Sequence, residues 1–295
     1  MSDALAWGFH YAMVTPDHYR IEYDINPFMD LADQPDPIRA REQWDAAVAT
    51  LRGLGARIDV LDGIATAPDM VYAMNLGFAV TDSYGAPRTI MSHMRFPERR
   101  METPVAEKFF AGLGFATAYV GRDGVGGYFE SGDAFPYGDA LLVGYGKRSD
   151  EVGVNALASE LGVRVRGLRI VHPAMYHLDL AFCPLDDRTP LVCPDAFDAA
   201  SARAVLEVID DPIVLSVDDA MTFCANSVVI GRHVVMPECP AHIRTAIESA
   251  GFEVVLVEMD EFHKGGGSIR CMTNPLDIVV GRDLRAVPGG EVVLP

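Results

Sequence analysis

The sequence predicts an α/β protein built from a repeated unit, and two observations support this fold class. Amphipathic helices alternate with short apolar strands along most of the 295 residues. A helix that ends at a glycine and is followed at once by a strand occurs four times, at Gly55, Gly114, Gly162 and Gly251. These junctions indicate a repeating unit of roughly 50 residues. The alternative is an ordinary α/β protein, in which glycine also caps helices.

Hydrophobic periodicity sets the predicted elements in chain order. The first helix covers residues 38–54 and ends at Gly55; later helices cover 103–113, 151–161, 199–209 and 240–250. Apolar runs bounded by turn residues predict strands at 57–61, within 69–80, and at 89–94, 116–120, 140–144, 164–171, 177–183, 191–193, 227–230, 233–236 and 253–257. The strands at 177–183 and 191–193 are expected to pair, and those at 227–236 to form a hairpin. No proline-rich linker divides the chain, so residues 1–295 are predicted to form a single domain.

Composition narrows the choice of partner. The chain carries 42 acidic and 24 basic residues, a net charge of −18, which argues against nucleic acid and anionic membranes. A small cationic substrate is compatible with this charge, and so is an acidic surface without any such role. The start lacks a signal-peptide pattern and no apolar run reaches membrane-spanning length. We therefore expect a cytoplasmic protein that acts on a small-molecule substrate. The composition is also compatible with a homo-oligomer.

Five cysteines are present, and no pair has CxxC spacing, so neither a disulfide framework nor a zinc site is predicted. Cys271 differs from the other four because it follows the run Gly265-Gly266-Gly267. Glycines allow a backbone to pass close to a ligand. A cysteine on such a loop is expected at a site, whereas an isolated cysteine is more often a small core residue.

Two further motifs carry groups that could serve such a cysteine. His177 and Asp179 alternate in a predicted strand, which would place both on one face, as a general base and a substrate-clamping carboxylate require. Glu130 and Asp133 flank a Ser-Gly turn and could converge on a cation; a solvated acidic loop is the alternative. Together the three motifs predict a Cys/His/acid site, because a thiolate nucleophile needs a base or an electropositive environment.

The order of these motifs resembles the guanidine-modifying superfamily. Its members include dimethylarginine dimethylaminohydrolases, arginine deiminases, arginine dihydrolases and glycine amidinotransferases. The resemblance covers most of the chain and rests on segments 68–75, 95–100, 129–144, 146–150, 225–226 and 261–271. It implies a five-bladed α/β propeller of ββαβ units around a polar channel, with no metal and no organic cofactor.

The resemblance also implies roles for particular residues. Cys271 would attack the guanidinium carbon, and His177 would protonate the departing amine and then activate water. Glu130 would orient His177 or the substrate, Asp179 would clamp guanidinium nitrogens, and Arg148 would bind the α-carboxylate of a free amino acid. The remaining residues expected to bind substrate are Asp69, Asn75, Arg95 and Asp133.

The chain departs from part of the superfamily at Asn75, where arginine deiminases and typical dimethylargininases have an aspartate. Asparagine carries no charge and can bind a neutral ureido group about as readily as a cation. Arginine and succinylarginine dihydrolases have asparagine there, which favours hydrolysis of arginine to ornithine and two ammonia. A milder departure is Ser131, where glycine is commoner. A dimethylargininase, an amidinotransferase and a non-catalytic binding protein are the alternatives.

Overall fold

The computed structural model describes residues 4–295, and their strands form five sheets of three or four strands and one two-stranded ribbon. The strands, in chain order, are β1 His10–Val14, β2 Arg57–Leu61, β3 Gly77–Thr81, β4 Pro87–Met91, β5 Ala116–Tyr119, β6 Gly121–Arg122, β7 Val125–Gly126, β8 Ala134–Tyr137, β9 Ala140–Tyr145, β10 Arg164–Arg169, β11 Phe182–Pro184, β12 Pro190–Val192, β13 Ile213–Val214, β14 Val228–Ile230, β15 His233–Met236, β16 Glu253–Leu256, β17 Asn274–Pro275 and β18 Glu291–Val293. The helices are α1 Pro37–Gly53, α2 Thr103–Gly112, α3 Glu151–Leu161, α4 Ala199–Glu207, α5 Val217–Met221, α6 Ala241–Ser249 and α7 Asp260–His263.

Four of the sheets share one plan, in which an antiparallel strand pair is followed by a helix and a strand parallel to the second of the pair. These are β3-β4-α2-β5, β8-β9-α3-β10, β11-β12-α4-β13 and β14-β15-α6-β16. The remaining sheet has the same arrangement, but its antiparallel strand β17 comes from near the end of the chain and pairs with β1. The first sheet therefore joins the two ends of the sequence. The prediction of a mixed α/β domain is confirmed.

Local sequence explains why α1 forms where it does. Asp36 caps the helix by accepting hydrogen bonds from the backbone N–H groups of Ile38 and Arg39, and Pro37 occupies the first position. The buried residues recur at helical spacing; they are Ala40, Gln43, Trp44, Ala47, Val48 and Leu51. The predicted helix over residues 38–54 thus matches α1 to within one residue at each end.

The strand predicted within residues 69–80 is only partly correct. Residues Pro68–Val71 and Ala73–Leu76 form two 3-10 turns, and the strand begins at Gly77. The backbone groups of the turns find other partners: Met74 N–H donates to the Cys271 carbonyl, and Asn274 Nδ2 donates to the carbonyls of Ala73, Met74 and Gly77. A distant asparagine therefore satisfies carbonyls that a strand would have paired with a neighbour.

The strand predicted over residues 177–183 is also wrong in its first half. Residues Leu178–Leu180 form a 3-10 turn, and only Phe182–Pro184 pairs with β12. The turn is fixed by side chains, because Asp133 Oδ1 accepts from Leu178 N–H and Asn226 Nδ2 donates to the Asp179 carbonyl. The alternation argument for His177 and Asp179 therefore fails, although other contacts bring both side chains to one site.

Buried apolar side chains form three clusters within the described residues. The largest joins strands β8 to β12 to helices α3, α4 and α6. No helix within residues 4–295 is long and apolar enough to cross a membrane.

Candidate active site

A buried cavity is lined entirely by turns and loops, with the strands outside it. It offers only about 10 Å³, so the site is closed in this conformation. The lining residues are Ile25, Asn26, Asp69, Tyr72, Asn75, Arg99, Arg148, Tyr176, His177, Gly265, Gly267 and Cys271. Five of the predicted site residues therefore face one cavity, although they lie up to about 200 residues apart in the sequence.

Gly132 marks the place where three of the predicted groups converge. A β-carbon added to Gly132 would lie 2.9 Å from Asn75 Oδ1, 3.3 Å from Asp179 Oδ2 and 3.4 Å from His177 Cγ. Any other residue here would push into these side chains. The turn Ser131–Asp133 therefore packs directly against the site, which explains the glycine between Glu130 and Asp133.

Asn226 holds the loop that carries Cys271. Its Oδ1 accepts three backbone N–H groups, those of Ser268, Arg270 and Cys271, each at 3.1 Å. Its Nδ2 lies 3.1 Å from Cys271 Sγ. One buried amide thus fixes the course of the loop and also donates to the sulfur.

The surroundings of Cys271 keep its thiol protonated. Cys271 Sγ lies 3.3 Å from Asp179 Oδ2 and is buried. Burial, followed by the negative charge of Asp179, raises the pKa of Cys271 well above its ordinary value. The sulfur is therefore a thiol that donates to Asp179, and a positive charge in the cavity would favour its ionisation.

His177 is oriented by a buried carboxylate. Its Nε2 lies 2.8 Å from Glu130 Oε2, and Arg148 Nη1 donates to the same oxygen at 3.2 Å. Burial opposes ionisation of Glu130, but the charge of Arg148 and the hydrogen bond with His177 outweigh it and hold the pKa of Glu130 well below its usual range. The carboxylate therefore fixes the orientation of the imidazole ring, whose Nδ1 makes no hydrogen bond within residues 4–295.

A second group of charges lies on another wall of the cavity. Arg99 forms a bidentate ion pair with buried Glu102 and donates to the Asp69 carbonyl. Asp69 Oδ1 is buried without a hydrogen-bond partner among the described residues. Burial, partly offset by the charges of Arg99 and Arg148, raises the pKa of Asp69 to about 6. An unpartnered carboxylate oxygen that lines a cavity is suited to a cationic ligand.

Asn75 turns its donor side toward the cavity. Its Oδ1 accepts the Gly132 N–H at 2.9 Å. Because a backbone N–H can only donate, this bond fixes the orientation of the amide and leaves Nδ2 without a partner within the described residues. The segment is pinned by Ser131, whose hydroxyl donates to the Met74 carbonyl.

Four predicted residues do not line the cavity. Glu130 and Asp179 contact the lining residues His177 and Cys271, whereas Arg95 and Asp133 are engaged elsewhere. Arg95 stacks on the Tyr128 ring and donates through Nε to the Arg148 carbonyl, so it supports Arg148 from outside. Asp133 accepts from Ser149 through Oδ2 and from Leu178 N–H through Oδ1. Both of its oxygens are engaged, and the expected convergence of Glu130 and Asp133 on one cation is absent.

A family profile described as N,N dimethylarginine dimethylhydrolase, eukaryotic, matches residues 25–278. The chain belongs to the dimethylarginine dimethylaminohydrolase family. The matched region includes every residue that lines the cavity. Membership makes the chain a hydrolase of C–N bonds in guanidino groups, so the predicted superfamily and enzyme class are confirmed.

Two relatives are named for different reactions. N(G),N(G)-dimethylarginine dimethylaminohydrolase of Mycobacterium tuberculosis is 35% identical over 263 residues, which is 89% of this chain and 84% of the relative. The bifunctional arginine dihydrolase/ornithine cyclodeaminase AgrE of Nostoc sp. is 32% identical over 269 residues, which is 89% of this chain but 37% of AgrE. The chain thus spans little more than a third of that bifunctional protein.

Solved structures extend the comparison. AgrE in a binary complex with L-arginine superposes with a TM-score of 0.88 at 30% identity, covering 94% of this chain and 41% of AgrE. The N-terminal domain of ArgZ bound to substrate, described as an arginine dihydrolase from cyanobacteria, has a TM-score of 0.84 at 30% identity and covers 92% of this chain and 98% of that domain.

The dimethylargininase-family site also contains residues that sequence reasoning missed. No role was predicted for Asn226, although it lies in segment 225–226 of the family resemblance. Arg99 lies in the segment from which Arg95 was chosen, and its spacing of three residues from Glu102 could have indicated a buried ion pair. No sequence pattern indicates a site role for Asn26, because only the fold brings residues 15–36 over the cavity.

The three glycines before Cys271 are explained by aromatic and amide neighbours. A β-carbon on Gly265 would clash with the Tyr72 and Tyr19 hydroxyls, one on Gly266 with Asn26, and one on Gly267 with the Tyr72 ring. Gly266 also has a positive φ of 86°, which disfavours any other residue. Within residues 4–295 no group of three or more His, Cys, Asp or Glu side chains is placed to hold a metal ion.

Proposed function

We propose that this chain is a cysteine-dependent arginine dihydrolase, which converts free L-arginine to ornithine, carbon dioxide and two ammonia. The orientation of Asn75 carries the proposal. A guanidinium has N–H donors on every nitrogen and no acceptor, so an aspartate at this place would bind it well. The Asn75 Nδ2 donor has nothing to accept its hydrogens on a guanidinium but matches the carbonyl oxygen of a ureido group. The site therefore suits citrulline as a second substrate.

The first half-reaction uses the charges of the cavity. A guanidinium bound against Asp179 and Asp69 would offset the negative charge that keeps Cys271 protonated. The thiol then ionises and releases its proton to solvent as the substrate binds, and the Cys271 thiolate attacks the guanidinium carbon. His177 donates a proton to the departing nitrogen, which leaves as ammonia, and a thiouronium on Cys271 remains.

Hydrolysis completes the cycle on the same histidine. His177, now neutral and held by Glu130, takes a proton from a water molecule that attacks the thiouronium carbon. The C–S bond breaks, and citrulline forms with its new carbonyl oxygen near Asn75 Nδ2. A second attack by Cys271 on the ureido carbon expels the second ammonia, and water then releases a carbamate that decomposes to ornithine and carbon dioxide.

The proposal also covers the overall fold and the role of Arg148. The five sheets stand as blades of a propeller formed by the single domain of residues 1–295, with Cys271 at the central channel. Arg148 binds the α-carboxylate once Ile25 moves, since Arg148 Nη2 now donates to the Ile25 carbonyl at 3.1 Å. Both ideas are supported by the family and by the contacts described above.

Dimethylargininase activity is the second candidate, and the 35% identity to the mycobacterial enzyme favours it. It would give citrulline and dimethylamine from asymmetric dimethylarginine, with one C–N cleavage. An amidinotransferase would instead pass the amidino group to an added amine.

The deciding experiment follows the products of arginine, asymmetric dimethylarginine and citrulline by mass spectrometry. We expect arginine to give a final ammonia-to-arginine ratio near two, with citrulline only transient. Asn75→Asp should lower the ratio toward one and let citrulline accumulate, because two acceptors would hold the guanidinium and repel the ureido oxygen. Cys271→Ser serves as the inactive control, with turnover lower by several orders of magnitude. A ratio of one from the wild type, or methylamines as the only amine product, would contradict the dihydrolase assignment.

A further inference from the structure

Arg270, the residue before Cys271, points away from the active-site cavity into a second, separate cavity. Its side chain is buried, with 2% exposure, and is the largest of the fully buried side chains. Its Nε and Nη2 atoms have no hydrogen-bond partner among the described residues. The guanidinium forms no ion pair there and lies over Phe135 at 4.7 Å and Trp7 at 5.6 Å.

A buried guanidinium without partners is physically costly. Arginine remains charged under all ordinary conditions, and burying a charged group whose N–H donors lack hydrogen-bond partners is strongly unfavourable. Contacts with aromatic faces recover only part of that cost. The structure therefore indicates that something besides the protein satisfies this group.

The second cavity has no carboxylate of its own, although the charge of Arg270 favours ionisation of Asp179 outside it. Its lining is apolar apart from Arg270, Tyr11, Cys183 and Ser227, and no carboxylate lines it. Burial raises the pKa of Cys183 to about 12, so this thiol stays neutral. Burial also raises the pKa of Tyr11 well above its ordinary value, which leaves its hydroxyl protonated and able to donate.

We propose that this cavity binds one monatomic anion of the halide class, held by the Arg270 guanidinium and the Tyr11 hydroxyl. Each of these two groups would direct a hydrogen-bond donor at the anion, and the guanidinium would add a positive charge. The space of about 10 Å³ suits a single particle of roughly the size of a water molecule and excludes phosphate and sulfate. A water molecule would accept the same hydrogen bonds but carries no charge, so the guanidinium would attract it less strongly than an anion.

Diffraction from the wild-type protein tests the site without any mutation. Crystals are grown in sodium gluconate and then in sodium bromide, and data are recorded at the bromine absorption edge. We expect an anomalous peak in contact with the Arg270 guanidinium and the Tyr11 hydroxyl. An ordered water molecule in the same place, with no anomalous signal, would overturn the proposal.

Fluorescence provides an independent solution test, because Trp7 lies beside Arg270 and heavy halides quench indoles. The chain has two tryptophans. We expect saturable quenching by iodide at constant ionic strength in the wild type and in Trp44→Phe, and none in Trp7→Phe. Tyr11→Phe should weaken iodide binding by roughly tenfold through loss of a hydrogen bond to a charged group. Arg270→Gln should abolish saturation; weak, linear quenching that is equal in Arg270→Gln and the wild type would count against the site.

Discussion

At the residue scale, Asp179 controls the ionisation of the nucleophile. Its Oδ2 lies 3.3 Å from Cys271 Sγ, and its charge is the largest contribution after burial to the raised thiol pKa. The thiolate fraction is therefore small at neutral pH and grows as the pH rises toward that pKa. Removing the charge should lower the pKa.

We predict that Asp179→Asn alkylates faster than the wild type at neutral pH while losing turnover. Iodoacetamide labelling of Cys271 against pH, read by mass spectrometry, gives the rates, and Cys271→Ser corrects for the other cysteines. The midpoint of the profile should shift to lower pH in the variant. An unchanged or higher midpoint would show that Asp179 does not govern the thiol.

Arg148 gives a second prediction at this scale, on the part of the substrate remote from the chemistry. If it binds the α-carboxylate, agmatine should be a poorer substrate than arginine, because agmatine lacks that group. A charge-assisted hydrogen bond is worth roughly 1.5–3 kcal/mol, so kcat/KM for agmatine should fall by about one to two decades. Equal values of kcat/KM for the two compounds would remove this role from Arg148.

At the element scale, the link between β1 and α1 covers the site. Residues 15–36 contain no helix or strand, and a segment of that length in a compact domain is commonly functional. Asn26 Nδ2 donates to the Gly265 carbonyl at 3.0 Å, and the Ile25 carbonyl accepts from Arg148. Because the cavity is too small for arginine in this conformation, we expect this segment or the glycine loop to move when arginine enters.

We predict that amide hydrogen exchange within residues 15–36 slows when arginine binds. The measurement uses Cys271→Ser, which holds arginine without turning it over, and compares the free and bound forms by mass spectrometry. Asn26→Ala should speed exchange in the free form and raise KM more than it lowers kcat, since a contact that closes the segment is lost. Identical exchange in free and bound forms would mean that entry occurs elsewhere.

At the scale of the whole molecule, the two last strands, β17 and β18, contribute differently to the fold. Strand β17 completes the first sheet beside β1, whereas β18 adds a fourth strand to the edge of β8-β9-β10. Deletion of residues 289–295 removes that edge strand, the packing of Val292 against the largest apolar cluster and the ion pair of Arg164 with Glu291. We expect the Tm to fall by roughly 2–8 °C, at about 2–4 °C for each kcal/mol lost.

Turnover of this deletion variant, measured well below its Tm, should equal that of the full chain, because no residue of the cavity lies after Cys271. Calorimetry and the ammonia assay give both quantities. Loss of activity with an unchanged Tm would show that β18 acts on the site rather than on stability.

The sequence by itself determined the elements with strong local signals. Helix α1 was predictable because Asp36 and Pro37 begin it and its apolar residues recur at helical spacing; α3 was predictable because Gly162 ends it in the left-handed conformation. The Cys271 loop was recognisable because three consecutive glycines are rare, and the family was recognisable from the order of its motifs. These features are local, and local physics suffices to specify them.

Only the tertiary structure decided how the site is assembled. The turn around Asp179 could not be read from alternation, because Asp133 and Asn226 satisfy its backbone from other parts of the chain. The placement of Arg95 outside the cavity and the cavity-facing amide nitrogen of Asn75 depend likewise on distant partners. A side chain's hydrogen-bond partner is set by three-dimensional proximity. A local sequence pattern does not predict which distant group will be that partner.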